Sequence, residues 1–143
     1  TEKVWARIVN YENMPTWQQD VELVRIVQSG TTENKGLGVI RAIDFKLPML
    51  PTIYEEIVQF EPPYRFNYVL FKGVVALEKY FGQLYINRLS ETTCRLHWEV
   101  DFTFKQYHPF TVFMANFFVK RFTKSIDMAL HNLKAQLEEE LLF

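Results

Sequence analysis

At 143 residues the chain is the size of one domain, able to bury roughly 70% of its unfolded surface, with 48% apolar and 23% charged residues. Its 16 basic and 17 acidic residues leave a net charge of −1, so no overall field draws nucleic acid or an anionic membrane, and neither is expected as a partner. The excess is aromatic: 13 Phe, 7 Tyr and 3 Trp need an interior to hold them.

Val4, Trp5, Ile8 and Val9 recur at helical spacing, so residues 2–9 read as a short amphipathic helix. Asn10 can cap a second short helix running to Trp17, with Pro15 preventing a regular one. From Val21 the period changes to two. Segments 21–29, 36–46, 52–61, 65–72, 78–89 and 93–105 read as six strands. The connectors between them are short and rich in turn residues, such as Ser29-Gly30, Asn34-Lys35-Gly36 and Pro62-Pro63, which favours consecutive antiparallel hairpins. In the last strand Leu96, Trp98, Val100, Phe102 and Phe104 alternate with Arg95, His97, Glu99, Asp101 and Thr103, as in a sheet covered on one side. Tyr80, Leu84 and Ile86, and Phe66, Tyr68 and Leu70, give the apolar faces of two further strands.

Pro109 suits the first turn of a closing helix that runs to Glu140. Phe118, Phe122, Ile126, Ala129, Leu133 and Leu137 form its apolar stripe, and Lys120, Lys124, Asp127, His131, Lys134 and Glu138 its polar one. The narrow stripe from Ile126 to Leu137 should clamp the helix to the sheet. The half from Phe110 to Phe122 is apolar on more than one side, which suggests the lining of a pocket or gate. The reading is an α+β fold, with a curved antiparallel sheet of six to seven strands wrapped around a long C-terminal helix and two short helices near the N-terminus.

Other signals are weak. Cys94 is the only cysteine, so there is no intrachain disulfide. The longest apolar run, Phe110 to Val119, is too short to span a bilayer. With no visible signal peptide, a cytoplasmic location is expected, although the sequence starts at Thr1 without Met. The three histidines do not cluster, Gly36-Leu37-Gly38 lacks the rest of a phosphate loop, and no cofactor or metal is expected. Lys120-Arg121 with Lys124 reads as a solvated basic face rather than a membrane contact.

The chain resembles the START-like helix-grip superfamily (SRPBCC), in its polyketide cyclase/dehydrase-like branch. The likeness is carried by Val4-Trp5-Ala6-Arg7-Ile8-Val9, Asn10 to Trp17, Gly36-x-Gly38, Glu55-Glu56-Ile57, the run Phe60-Glu61-Pro62-Pro63-Tyr64-Arg65-Phe66, and Thr93 to Trp98. It covers nearly all of residues 1–143, read as one domain. Members usually begin with a strand, and only three residues precede Val4, so the first strand is expected to be absent from this chain. That would leave an open edge suited to pairing in a homodimer. The resemblance implies a cavity between sheet and helix for lipids, polyketides or other apolar molecules, and it carries over no catalytic residue.

Two readings of the interior stand side by side: a packed core, or a lined pocket in which Tyr and Trp supply polar ends. The candidate ligand-binding residues of the sheet are Tyr68, Leu70, Tyr80, Leu84, Trp98, Val100 and Phe102, and those of the helix are Phe113, Met114, Phe117 and Phe118. Arg41 shares a face with Val39, Ile43 and Phe45 and should lie opposite Glu56 or Ile57. Of the adjacent Glu55 and Glu56, one must point inward, and Glu56 joins Arg41 in the candidate set. That pair is either a structural ion pair or a polar grip for a ligand. The cavity mouth is expected at loops 46–51, 72–78 and 105–109, with Met49, Leu50, Val74 and Val75 as an apolar lip. The leading function is carriage of a hydrophobic small molecule. The alternatives are a cyclase/dehydratase-like enzyme using Arg41, a Glu or a pocket Tyr as acid/base, and an interaction module with a filled core.

Overall fold

The computed structural model describes residues 1–48, 50–74, 77–105 and 109–141, with 109–112, 114 and 115 described through their backbone alone. Helix α1 (Glu2–Ile8) is followed by a 3-10 helix, η1 (Tyr11–Thr16), which contains Pro15. Strands β1 (Val21–Gln28), β2 (Ile40–Phe45), β3 (Ile53–Glu61), β4 (Arg65–Lys72), β5 (Leu77–Arg88) and β6 (Cys94–Phe104) follow. A single turn, α2 (Thr31–Asn34), lies between the first two, and helix α3 (Pro109–Leu141) closes the described chain.

The strands pair in chain order, β1-β2-β3-β4-β5-β6, every pair antiparallel, as the short connectors require. Register shifts at Tyr54/Glu55 and Ile57/Gln59 in β3, and at Leu77/Lys79 in β5, place bulges that bend the sheet. The result is the expected curved helix-grip sheet of six strands. One boundary differs from the sequence reading. Residues 36–39 do not open β2 as a regular strand, because Thr32, Glu33 and Asn34 turn left-handed (φ 53°, 49° and 67°) and Gly38 also has positive φ, 87°. Gly38 N still donates to Ile57 O at 2.9 Å, so the segment joins β3 irregularly, ahead of β2.

The core lies between the concave sheet face and the three helices. α1 and η1 contribute Trp5, Ile8, Tyr11 and Met14, α3 contributes Ala129, Leu133 and Leu137, and the sheet contributes Val24, Ile43, Ile57, Phe66, Tyr68, Leu84 and Ile86. Burying such side chains stabilises by about 1.5–3 kcal/mol each. The second half of α3 is tied down by polar bonds as well. Arg7 donates to Glu140 Oε1 at 2.6 Å and to Gln136 Oε1 at 2.5 Å, and Gln136 Nε2 donates to Thr16 O at 2.7 Å. The clamp expected against the sheet therefore also grips α1 and η1.

The first half of α3 is held differently. Phe118 packs edge-on against Phe102 and Phe104 at 5.9 and 5.7 Å, and Phe122 meets Tyr80 at 5.9 Å and Phe102 at 6.4 Å. That contact fixes the rotational phase of the helix. Phe113 and Phe117 then fall on the opposite side and are 67% and 54% exposed, contrary to the expectation that they point inward.

Gly82 sits in mid-strand opposite Tyr68. A Cβ there would overlap the Tyr68 ring carbons Cζ and Cε1, so the absence of a side chain is what lets the ring lie across β5. Gly82→Ala should cost about 1–3 kcal/mol by overpacking, read as a lowered midpoint in urea unfolding.

Candidate functional site

Arg41 on β2 and Glu55 on β3 stand directly opposite one another and are both 3% exposed. Arg41 Nε donates to Glu55 Oε1 at 3.0 Å, and Nη2 approaches the same oxygen at 2.9 Å. The guanidinium lies between two aromatic faces, 4.8 Å from the Tyr11 ring centroid and 4.8 Å from that of Tyr68. Its Nη1 reaches Met14 Sδ at 3.6 Å. The ion pair anticipated from sequence is therefore present, but with Glu55 as the inward carboxylate. Glu56 faces away from Arg41 because alternation along β3 allows one of the two neighbours to point inward, and the β2–β3 register selects Glu55.

Burial pushes the Glu55 carboxyl above the usual carboxylate range, against the pull of Arg41. Burial works against the charge on Arg41, but Glu55, Tyr11 and Tyr68 outweigh it and hold the guanidinium ionised. Each charge is the chief partner of the other.

A tyrosine–tryptophan run continues outward from this pair. Trp98 Nε1 donates to Tyr68 Oη at 3.0 Å, and the Tyr68 ring lies 6.2 Å from that of Tyr80. Burial raises the ionisation of Tyr11, Tyr68 and Tyr80 well above the ordinary tyrosine value, so all three are neutral hydroxyls near neutral pH.

The candidate residues divide between two spaces. Arg41, Leu84 and Trp98 line an inner void of about 10 Å³ with Ile8, Met14, Trp17 and Phe66. That is room for one water at most. Leu70 and Tyr80 line an outer cleft of about 500 Å³ at the end of the β4–β5 hairpin, together with Val74 and Leu77. Tyr68 is fully buried between the two, and Val100, Phe102 and Phe118 are half-buried toward the helix. The inner half of the interior is thus a filled core, and the open space lies at its outer end.

Phe113 and Phe117 line neither space. The Met114 side chain, with the proposed lip residues Met49 and Val75, lies outside the described residues, whereas Val74 does border the cleft. Sequence reasoning missed Tyr11, Met14 and Trp17 as neighbours of Arg41, since a broken helix gives no face to assign. Among the described residues, no group of three or more His, Cys, Asp or Glu could hold a metal ion.

Two outcomes follow from this electrostatics. Glu55→Gln leaves the buried Arg41 charge uncompensated and should cost about 3–5 kcal/mol, whereas Arg41→Met with Glu55→Leu together should recover most of it in guanidinium unfolding. The three tyrosines have folded-state values raised above the unfolded one, so the unfolded chain loses those protons first. Their contribution is fully present below pH about 10 and falls above it, by at most about 1.4 kcal/mol per pH unit per tyrosine. Unfolding midpoints against pH, with phenolate absorbance, measure it.

The sequence profile described as "Polyketide cyclase / dehydrase and lipid transport" matches residues 1–138. No curated protein sequence matches the chain. Among solved structures, it is similar to a START superfamily protein from Mycobacterium smegmatis (TM-score 0.72, 15% identity, 95% of this chain and 90% of that one). It is also similar to the Zhui aromatase/cyclase from Streptomyces sp. R1128 (TM-score 0.75, 12% identity, 95% and 87%). XoxI from Bacillus cereus aligns at TM-score 0.65 and 18% identity, over 97% of this chain and 89% of that one. At these identities the structures speak for the shared fold, and the profile match over nearly the whole chain carries the assignment: the protein belongs to the polyketide cyclase/dehydrase and lipid transport family.

Proposed function

We propose that the chain binds and carries a hydrophobic small molecule, of lipid or polyketide-like aromatic class, with the outer cleft as its seat. The observation that carries this reading is the cleft of about 500 Å³ lined by Leu70, Val74, Leu77 and Tyr80. Small-molecule sites typically span about 300–1,000 Å³ and are mostly apolar with a few polar groups. Here Leu70, Val74 and Leu77 supply the apolar wall, and Tyr80 supplies a neutral hydroxyl for orientation. Lys72, Glu78 and Lys79 at the rim would meet a polar end of the ligand.

Carriage is favoured over acid/base catalysis by the state of the buried groups. Arg41 and Glu55 engage each other, and the raised tyrosines are poor bases at neutral pH. The reading requires no cofactor. A cytoplasmic location belongs to the same proposal, in keeping with the free thiol of Cys94.

Native mass spectrometry of the purified protein should reveal a retained apolar ligand. A fluorescent fatty-acid probe should bind the wild type and bind Leu70→Trp about tenfold or more weakly, because the indole fills the cleft. Equal binding by both proteins would remove the cleft from the account.

A further inference from the structure

The outward face of the first half of α3 sets exposed aromatic side chains beside exposed basic ones. Phe113 and Phe117, one turn apart, are 67% and 54% exposed. Lys120, Arg121 and Lys124 continue the same side of the helix and are exposed as well. At 100° per residue, positions 113, 117, 120 and 124 fall within about 60° of each other, and Phe118 and Phe122 lie on the far side against the sheet. Nothing in the fold requires two phenylalanines in water here, since Phe118 and Phe122 already make the packing contact.

The charge is equally one-sided. Between Phe102 and Ile126 the sequence contains Lys105, Lys120, Arg121 and Lys124 and no acidic residue, although the whole chain is at −1. Among the described residues none of these four forms an ion pair, and the first carboxylate along the stripe is Asp127. A near-neutral total therefore conceals a basic strip, flanked by aromatic side chains, on an otherwise acidic molecule.

We propose that this face docks on an anionic bilayer surface. Interfacial helices bury Phe or Trp about 5–10 Å into the headgroup boundary while Lys and Arg meet the anionic headgroups. The stripe from Phe113 to Lys124 supplies both, along about 17 Å of helix. The charge selects the partner: a second copy of this chain would set basic strip against basic strip, whereas an anionic membrane complements it. The inner side of the same helix segment touches Tyr80 through Phe122, so the docked helix would lie between the membrane and that wall of the cleft. The docking face itself stands independently of what the cleft holds.

Vesicle flotation with the full chain tests it, using phosphatidylcholine vesicles and vesicles of equimolar phosphatidylcholine and phosphatidylserine. The protein should float with the second and stay behind with the first, and the association should fade as salt is raised. Lys120→Gln, Arg121→Gln and Lys124→Gln combined should weaken it by roughly 5-fold for each charge removed. Phe113→Ser with Phe117→Ser should weaken it without altering far-UV circular dichroism, because both side chains are exposed. Leu70→Trp should leave flotation unchanged, which separates this face from the cleft. Binding to neither vesicle, equal binding to both, or self-association that disappears in the phenylalanine double variant would each overturn the proposal. The last outcome would mark the face as a contact between copies.

Discussion

The interior of this protein is organised around one buried charge pair. Removing Arg41 and Glu55 from water costs several kcal/mol per ion before any contact is made. The chain compensates by surrounding the guanidinium: Glu55 from the neighbouring strand, the Tyr11 ring on one side and the Tyr68 ring on the other, and Met14 beyond. Those partners come from β3, β4 and η1, around an arginine on β2. The pair therefore imposes a register on two strand pairings and a position on the irregular N-terminal segment. A shift by one residue between β2 and β3 would set Glu56 opposite Arg41 in place of Glu55 and turn the buried Ile53 and Ile57 of β3 out of the core.

From that centre the character of the interior changes outward. Around Arg41 the rings close in until about 10 Å³ is left, while past Tyr80 the space opens to about 500 Å³. The run Trp98–Tyr68–Tyr80 marks the boundary, where the Trp98 indole donates to the Tyr68 hydroxyl and the two tyrosine rings pack together. A filled end gives the fold stability and an open end gives it somewhere to place a guest.

Much of this was legible in the residues, and for identifiable reasons. Strict alternation in Leu96 to Phe104 defined a one-sided strand, and short polar connectors defined the order of pairing. What stayed ambiguous had no local signal. Glu55 and Glu56 are neighbours of identical chemistry, so only the cross-strand register could decide between them. Phe113 and Phe117 sit in a segment apolar on several sides, where composition does not fix rotational phase. Contacts with Phe102, Phe104 and Tyr80 on distant strands fix it instead. Tyr11 and Trp17 reached the centre through a 3-10 turn whose path no periodicity encodes.

The seating of the Tyr68 ring on Gly82 has a consequence for how this sequence can vary. The two positions share a single allotment of volume across the β4–β5 pairing: one contributes all of it and the other none. Neither can drift alone. A relative with a side chain at the glycine position must carry a smaller or displaced residue in place of the tyrosine, and with it must surrender the acceptor for the Trp98 indole. Three positions far apart in sequence are thereby bound to change as a group or to stay as they are.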